Sequence, residues 1–233
     1  MHDHDAAADL TGGPRSGASA RAIAAVVAFG IAFGWLEAAV VVYLRELLYP
    51  QGFDFPLRLL RPDLAVIELA REASTLVMLA AVGVLGARTG WGRFGLFALA
   101  FGVWDLVYYL GLWIALGWPA SLGTWDVLFL IPGVWTGPVW TAALIAALLV
   151  AFGVPLYVRS ERGALGSVRW WHWALAVLSL TLLLAAFLAN HSLVLQQGVP
   201  VDFPAGIYFA GLAAGIAAAV DLIWLHPSRH AAA

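Results

Sequence analysis

Hydrophobic positions along this chain come in long blocks, with little of the short apolar–polar alternation of a half-buried strand. Six blocks, at about 22–44, 64–87, 94–116, 138–158, 170–190 and 205–225, each approach or exceed the roughly 20 helical residues that cross a hydrocarbon layer. The pattern predicts an all-α, polytopic membrane protein with six spans. The membrane domain is expected over 22–226, between a disordered cytoplasmic tail at 1–21 and a short cytoplasmic tail at 227–233. An acidic start ahead of a span-length apolar run argues for a retained first span and against a cleaved signal.

Most connections are short. The segment 45–63 is longer and carries Pro50, Gly52, Pro56 and Pro62, so it is expected to pack on the outer surface. The stretch 117–137, GWPASLGTWDVLFLIPGVWTG, breaks the block pattern, because Pro132, Gly133, Gly137 and Pro138 interrupt any helix through it. Two readings fit: a re-entrant half-helix before the fourth span, or one longer, kinked fourth span. Non-helical backbone at membrane depth persists only where protein or a wet cavity surrounds it. The stretch is therefore read as a lid over a cavity.

Composition strengthens this picture. The chain is 63% hydrophobic and 11% charged, against about 45–50% and 25% in soluble domains. So little polar surface cannot cover a water-facing globule, and the lipid bilayer is the partner implied. The formal net charge of -2 gives no pull toward nucleic acid. There is no cysteine, which removes disulfides, thiolate metal sites and Cys nucleophiles. All 12 basic residues are arginine, which also removes Schiff-base and P-loop lysines.

Arginine is distributed unevenly between the two sides. Arg15, Arg21, Arg88, Arg93, Arg159, Arg162, Arg169 and Arg229 fall on one side, and Arg45, Arg58 and Arg61 on the other. The positive-inside rule then predicts both termini in the cytoplasm.

Candidate chemistry is concentrated in the first three spans. Glu37, Glu68, Glu72 and Asp105 lie within them, where an ionisable group costs roughly 2.5–3.5 kcal/mol on insertion scales and is a functional suspect. Helical rise places all four in the outer half of the bilayer. Glu68 and Glu72 are four residues apart and share a face, with Arg71 between them. Tyr108 and Tyr109 follow Asp105 by a helical turn, Asp126 opens the interrupted stretch, and His191 ends the fifth span on the same outer side. Phe33-Gly34-Trp35-Leu36-Glu37 and Phe101-Gly102-Val103-Trp104-Asp105 both read Phe-Gly-x-x-acid. The pair puts two carboxylates at similar depth beside glycines that permit close helix packing.

Carboxylates outnumber arginines in this region. Such a cluster must hold protons, pair internally, or bind a cation. Glu37, Glu72 and Asp105 are the set expected to hold a ligand; with hard oxygen donors they would suit a divalent metal. Arg71 bridging Glu37 and Asp105, with no ligand, is the structural alternative. Asp221 lies near the inner end, away from the cluster, and is read as structural. The chain lacks His-Glu-x-x-His, paired Glu-x-x-His and Gly-x-Ser-x-Gly patterns.

The segments GWLEAAVVVYLRELLYPQGFDFPL, IELAREASTLVML, FGVWDLVYYLGL and TWDVLFLIPGVWTGPV, within Phe33 to Pro138, resemble a family of uncharacterised polytopic bacterial membrane proteins. The resemblance covers a little under half of the chain. It implies a bacterial inner-membrane location and no particular activity. The family form of the interrupted segment reads Ile-Pro-x-Pro-Trp, whereas this chain has Ile131-Pro132-Gly133-Val134-Trp135 and lacks one proline.

Three classes of function follow. The first is binding or transport of a cation, proton or small cationic solute at the acidic cluster. The second is an enzyme acting on a lipid or apolar substrate through carboxylate acid–base chemistry or a carboxylate-bound metal. The third is a structural or accessory subunit, with membrane-protein partners or self-association.

Overall fold

A computed structural model describes residues 13–58 and 60–225, with the side chains of 13–16 left aside. The tails at 1–12 and 226–233 lie outside the described residues.

The described residues form seven α-helices and one small sheet, in the order α1 (Gly13–Leu48), α2 (Pro62–Gly86), α3 (Gly90–Leu116), β1 (Trp125–Phe129), β2 (Trp135–Pro138), α4 (Val139–Glu161), α5 (Trp170–Leu188), α6 (His191–Leu195) and α7 (Ala205–Val220). A π-helical turn, Asp221–Leu225, continues α7. Among the described residues six helical stretches are long and apolar enough to cross a membrane, in the places the hydrophobic blocks predict. The protein is an all-α integral membrane protein with about six spans. The first helix differs from expectation at its start: it begins at Gly13, so 13–21 extend the span and are not part of a disordered tail.

Small residues decide which helices meet. Helix α3 is the hub and packs against α1, α2 and α4, while α5 packs against α7. A Cβ at Gly34 would stand 2.5 Å from the Trp104 carbonyl oxygen, and one at Gly102 would stand 2.4 Å from that of Ala146. The two glycines of the Phe-Gly-x-x-acid motifs therefore set the closest approaches of α1 to α3 and of α3 to α4. The core around them contains Val26, Phe33, Leu79, Leu96, Leu99 and Trp104.

The interrupted stretch is neither a half-helix nor part of a kinked α4. It is an antiparallel hairpin pairing Trp125 with Pro138, Asp126 with Gly137, Val127 with Thr136 and Phe129 with Trp135, with an irregularity between Val127 and Phe129. Pro132 and Gly133 place the turn, and aromatic and β-branched residues occupy the strands. Pro138, with no N–H to give, is the residue from which α4 starts. The hairpin, the 49–60 connection and α6 gather at one end of the bundle, the hairpin end. The arginine-rich turns around 88 and 162 lie at the other.

Candidate functional site

At the hairpin end, α1, α2 and α3 enclose a cavity of about 490 Å³, roofed by the 49–60 connection and the hairpin. Helices α1 and α2 both lean on α3 and touch one another little, which leaves the space between them. Glu37, Glu68, Arg71, Glu72, Asp105, Tyr108, Asp126 and His191 all line this cavity. Tyr109, the ninth residue singled out in the sequence, is buried beside it and donates its hydroxyl to Asp126 Oδ2 at 3.2 Å.

The arginines are already committed. Arg71 pairs with Glu37 across the α1–α2 gap, and its Nε donates to Glu68 Oε2 at 3.0 Å. Its partners are thus Glu37 and Glu68, and not Asp105. Arg45 is buried at the end of α1 and bridges Asp126 Oδ1 at 3.2 Å. Its guanidinium also lies 3.6 Å from the Trp118 ring centroid and 4.5 Å from that of Phe53, a cation–π box that fixes its plane. Burial pushes the Asp126 carboxyl up to about 6, and the Arg45 charge opposes that shift. Arg58 donates to the Leu48 carbonyl at 2.7 Å.

Two carboxylates remain without an arginine bond. Glu72 Oε2 accepts the Leu130 N–H at 2.9 Å and so binds the hairpin tip. Asp105 has no hydrogen bond or ion pair among the described residues, although it lines the cavity. The buried Trp104 Nε1 and Arg45 Nη1 likewise find no acceptor among them. In total the lining holds five carboxylates and three guanidinium groups.

His191 is positioned as a donor. Its Nδ1 accepts the Val134 N–H at 3.0 Å, so the neutral ring carries its proton on Nε2. A Cβ at Gly133 would stand 2.9 Å from the imidazole, so a larger residue there would press on the ring. The hairpin tip is thereby held by two side chains, Glu72 of α2 and His191 of α6, each accepting a backbone N–H.

Among the described residues no three His, Asp or Glu side chains gather into a metal-holding group. Glu37 and Glu68 are drawn to Arg71 and Glu72 to a backbone amide, so Glu37, Glu72 and Asp105 do not form a ligand set here. Asp221 sits at the opposite end, 3.1 Å from His172 Nε2. The roles of Trp104, Trp118 and Phe53 escaped the sequence reading, because an aromatic in an apolar block carries no mark of the cation or cavity it faces. Comparison with models of protein families, with curated proteins and with solved structures finds no match to this chain.

Proposed function

We propose that this protein binds a small organic cation in the hairpin-end cavity, and that Asp105 and Glu72 supply the charge that holds it. The observation that carries the reading is Asp105: a carboxylate on the cavity wall with no hydrogen-bond or ion-pair partner among the described residues, while each lining arginine is engaged elsewhere. An unpaired carboxylate away from water takes a proton or a cation. The volume suits a small molecule, since ligand pockets run to about 300–1,000 Å³. Trp104 and Tyr108 on the same wall are aromatic, and aromatic rings attract cations. The free Trp104 N–H and Arg45 Nη1 favour a ligand that also carries a hydrogen-bond acceptor.

The non-helical hairpin beside the cavity supports carriage as well as capture, because transporters place interrupted segments at their sites. The arginine distribution supports a bacterial inner-membrane protein with both termini in the cytoplasm and the cavity toward the outer face.

The test is thermal stabilisation of the detergent-purified protein by choline and by tetraethylammonium, each beside glucose as a neutral control. A ligand that binds only the folded state raises the melting temperature with concentration. Choline should stabilise wild type, and Asp105→Asn should abolish the effect while keeping the unliganded melting point. Equal responses to choline and glucose, or an unchanged choline response in Asp105→Asn, would sink the reading.

A further inference from the structure

A second cavity, of about 420 Å³, lies in the half of the bundle away from the acidic site, between the α3–α4 pair and the α5–α7 pair. It is a slot cut along the helices. Its floor and sides use small residues, among them Gly153, Ala176, Gly215 and Ala219. A Cβ at Gly215 would stand 2.8 Å from Ser179 Oγ, so α5 and α7 approach closely there. Its walls are Leu148, Phe152, Leu183 and their neighbours.

The shape of the slot selects the occupant. On α5 the lining runs from His172 to Leu183 and on α4 from Ile145 to Leu156, twelve residues in each case or about 16 Å of helix. That is close to half of a hydrocarbon core about 30 Å thick, the depth of one leaflet. The polar side chains within it leave little for water to bind. His172 Nδ1 accepts the Arg169 N–H at 3.0 Å and its Nε2 faces Asp221, so both ring nitrogens are engaged. A water-filled cavity needs several polar partners, which this lining lacks.

The mouth of the slot is at the arginine-rich end. Trp91 and Trp173 meet across it with ring centroids 5.9 Å apart, as aromatics do at a membrane interface. Val168 also lines it, next to Arg169, which lies three and four residues before the lining His172 and Trp173 at the start of α5. Arg93, Arg162 and Arg169 are exposed and form no ion pair among the described residues.

We infer that this slot binds an acyl chain of an anionic phospholipid from the leaflet at the arginine-rich end, with the phosphate headgroup against Arg169. Bilayer depth, an apolar wall and a cationic rim coincide in one groove. The inference is independent of the cation site.

The experiment uses the full chain, purified from micelles containing equal amounts of phosphatidylglycerol and phosphatidylcholine and weighed by native mass spectrometry. Wild type should retain a single phosphatidylglycerol in several-fold excess over phosphatidylcholine. Ala176→Phe, which fills the slot, should lose it, and Leu178→Phe on the exposed side of α5 should keep it. Arg169→Gln should erase the headgroup preference. Because Ala176→Phe could fail to fold, unmodified protein is also irradiated with phosphatidylglycerol carrying a mid-chain diazirine. Cross-links within 145–156 and 172–183 are expected at slot-facing positions. Cross-links confined to outward residues such as Val177 and Leu178, undiminished retention in folded Ala176→Phe, or equal retention of both lipids would overturn the inference.

Discussion

At the residue scale, the site is a set of charges sorted by what each has found to bond. Arg45 and Asp126 are both almost fully buried and directly paired. Removing one member of a buried pair strands the other charge, at a cost of about 3–5 kcal/mol. Arg45→Gln should therefore destabilise strongly, and Arg45→Met combined with Asp126→Leu should recover most of the loss. Reversible unfolding in mixed micelles, read by tryptophan fluorescence, tests this; equal losses in single and double variants would contradict it.

The Asp126 carboxyl also predicts a pH dependence. Its value in the folded chain is about 6, against an ordinary value of 3.8, and burial is the main cause. A group raised on folding binds its proton more tightly in the native state, so its contribution to stability is full below about pH 4 and is lost as pH rises through 6. Wild type should gain a few degrees of melting temperature relative to Asp126→Asn as pH falls from 7 to 4.5, on a scale of about 2–4 °C per kcal/mol. A parallel response in the two proteins would show that another group is responsible.

At the scale of elements, the hairpin is the part that local sequence least determines. Two strands this short do not hold themselves together, and this pair depends on its surroundings. Glu72 takes the Leu130 N–H, His191 takes the Val134 N–H, and the Thr124 and Leu122 carbonyls take the N–H groups of Val139 and Trp140. Hydrogen exchange should resolve the two tip contacts separately. Glu72→Ala should speed exchange at Leu130 more than at Val134, and His191→Ala should do the reverse. Uniform acceleration across 125–138 in both variants would mean that the hairpin opens as one unit and that neither contact acts locally.

At the scale of the whole molecule, two features divide the bundle: an acidic cavity under the hairpin and an apolar slot near the arginine-rich turns. The orientation proposed from arginine distribution assigns them to opposite leaflets. The absence of native cysteine makes this directly measurable. An impermeant maleimide should label Ser121→Cys in intact cells and Ser167→Cys only after lysis. The opposite pattern would reverse the orientation and bring the acidic cavity to the cytoplasmic face.

What the sequence by itself determined follows from the solvent. A bilayer rewards uninterrupted apolar helix and penalises every buried charge, so the six spans and the suspect acids both stand out from a single chain. Gly34 and Gly102 could be marked as points of close approach for the same reason. The tertiary structure alone decided the partners. Residues far apart in sequence, Glu37 with Arg71 and Arg45 with Asp126, which are 81 positions apart, meet only once α3 has drawn α1 and α2 together. The hairpin was illegible because glycine and proline say where a helix stops but not what replaces it; the acceptors that stabilise its backbone come from α2 and α6. Asp105 is left open by the same folding event, since the arginine that could have reached it is held by Glu37 and Glu68. Local burial energetics write the spans into the chain, whereas the competition among charges for a few arginines is settled only in three dimensions.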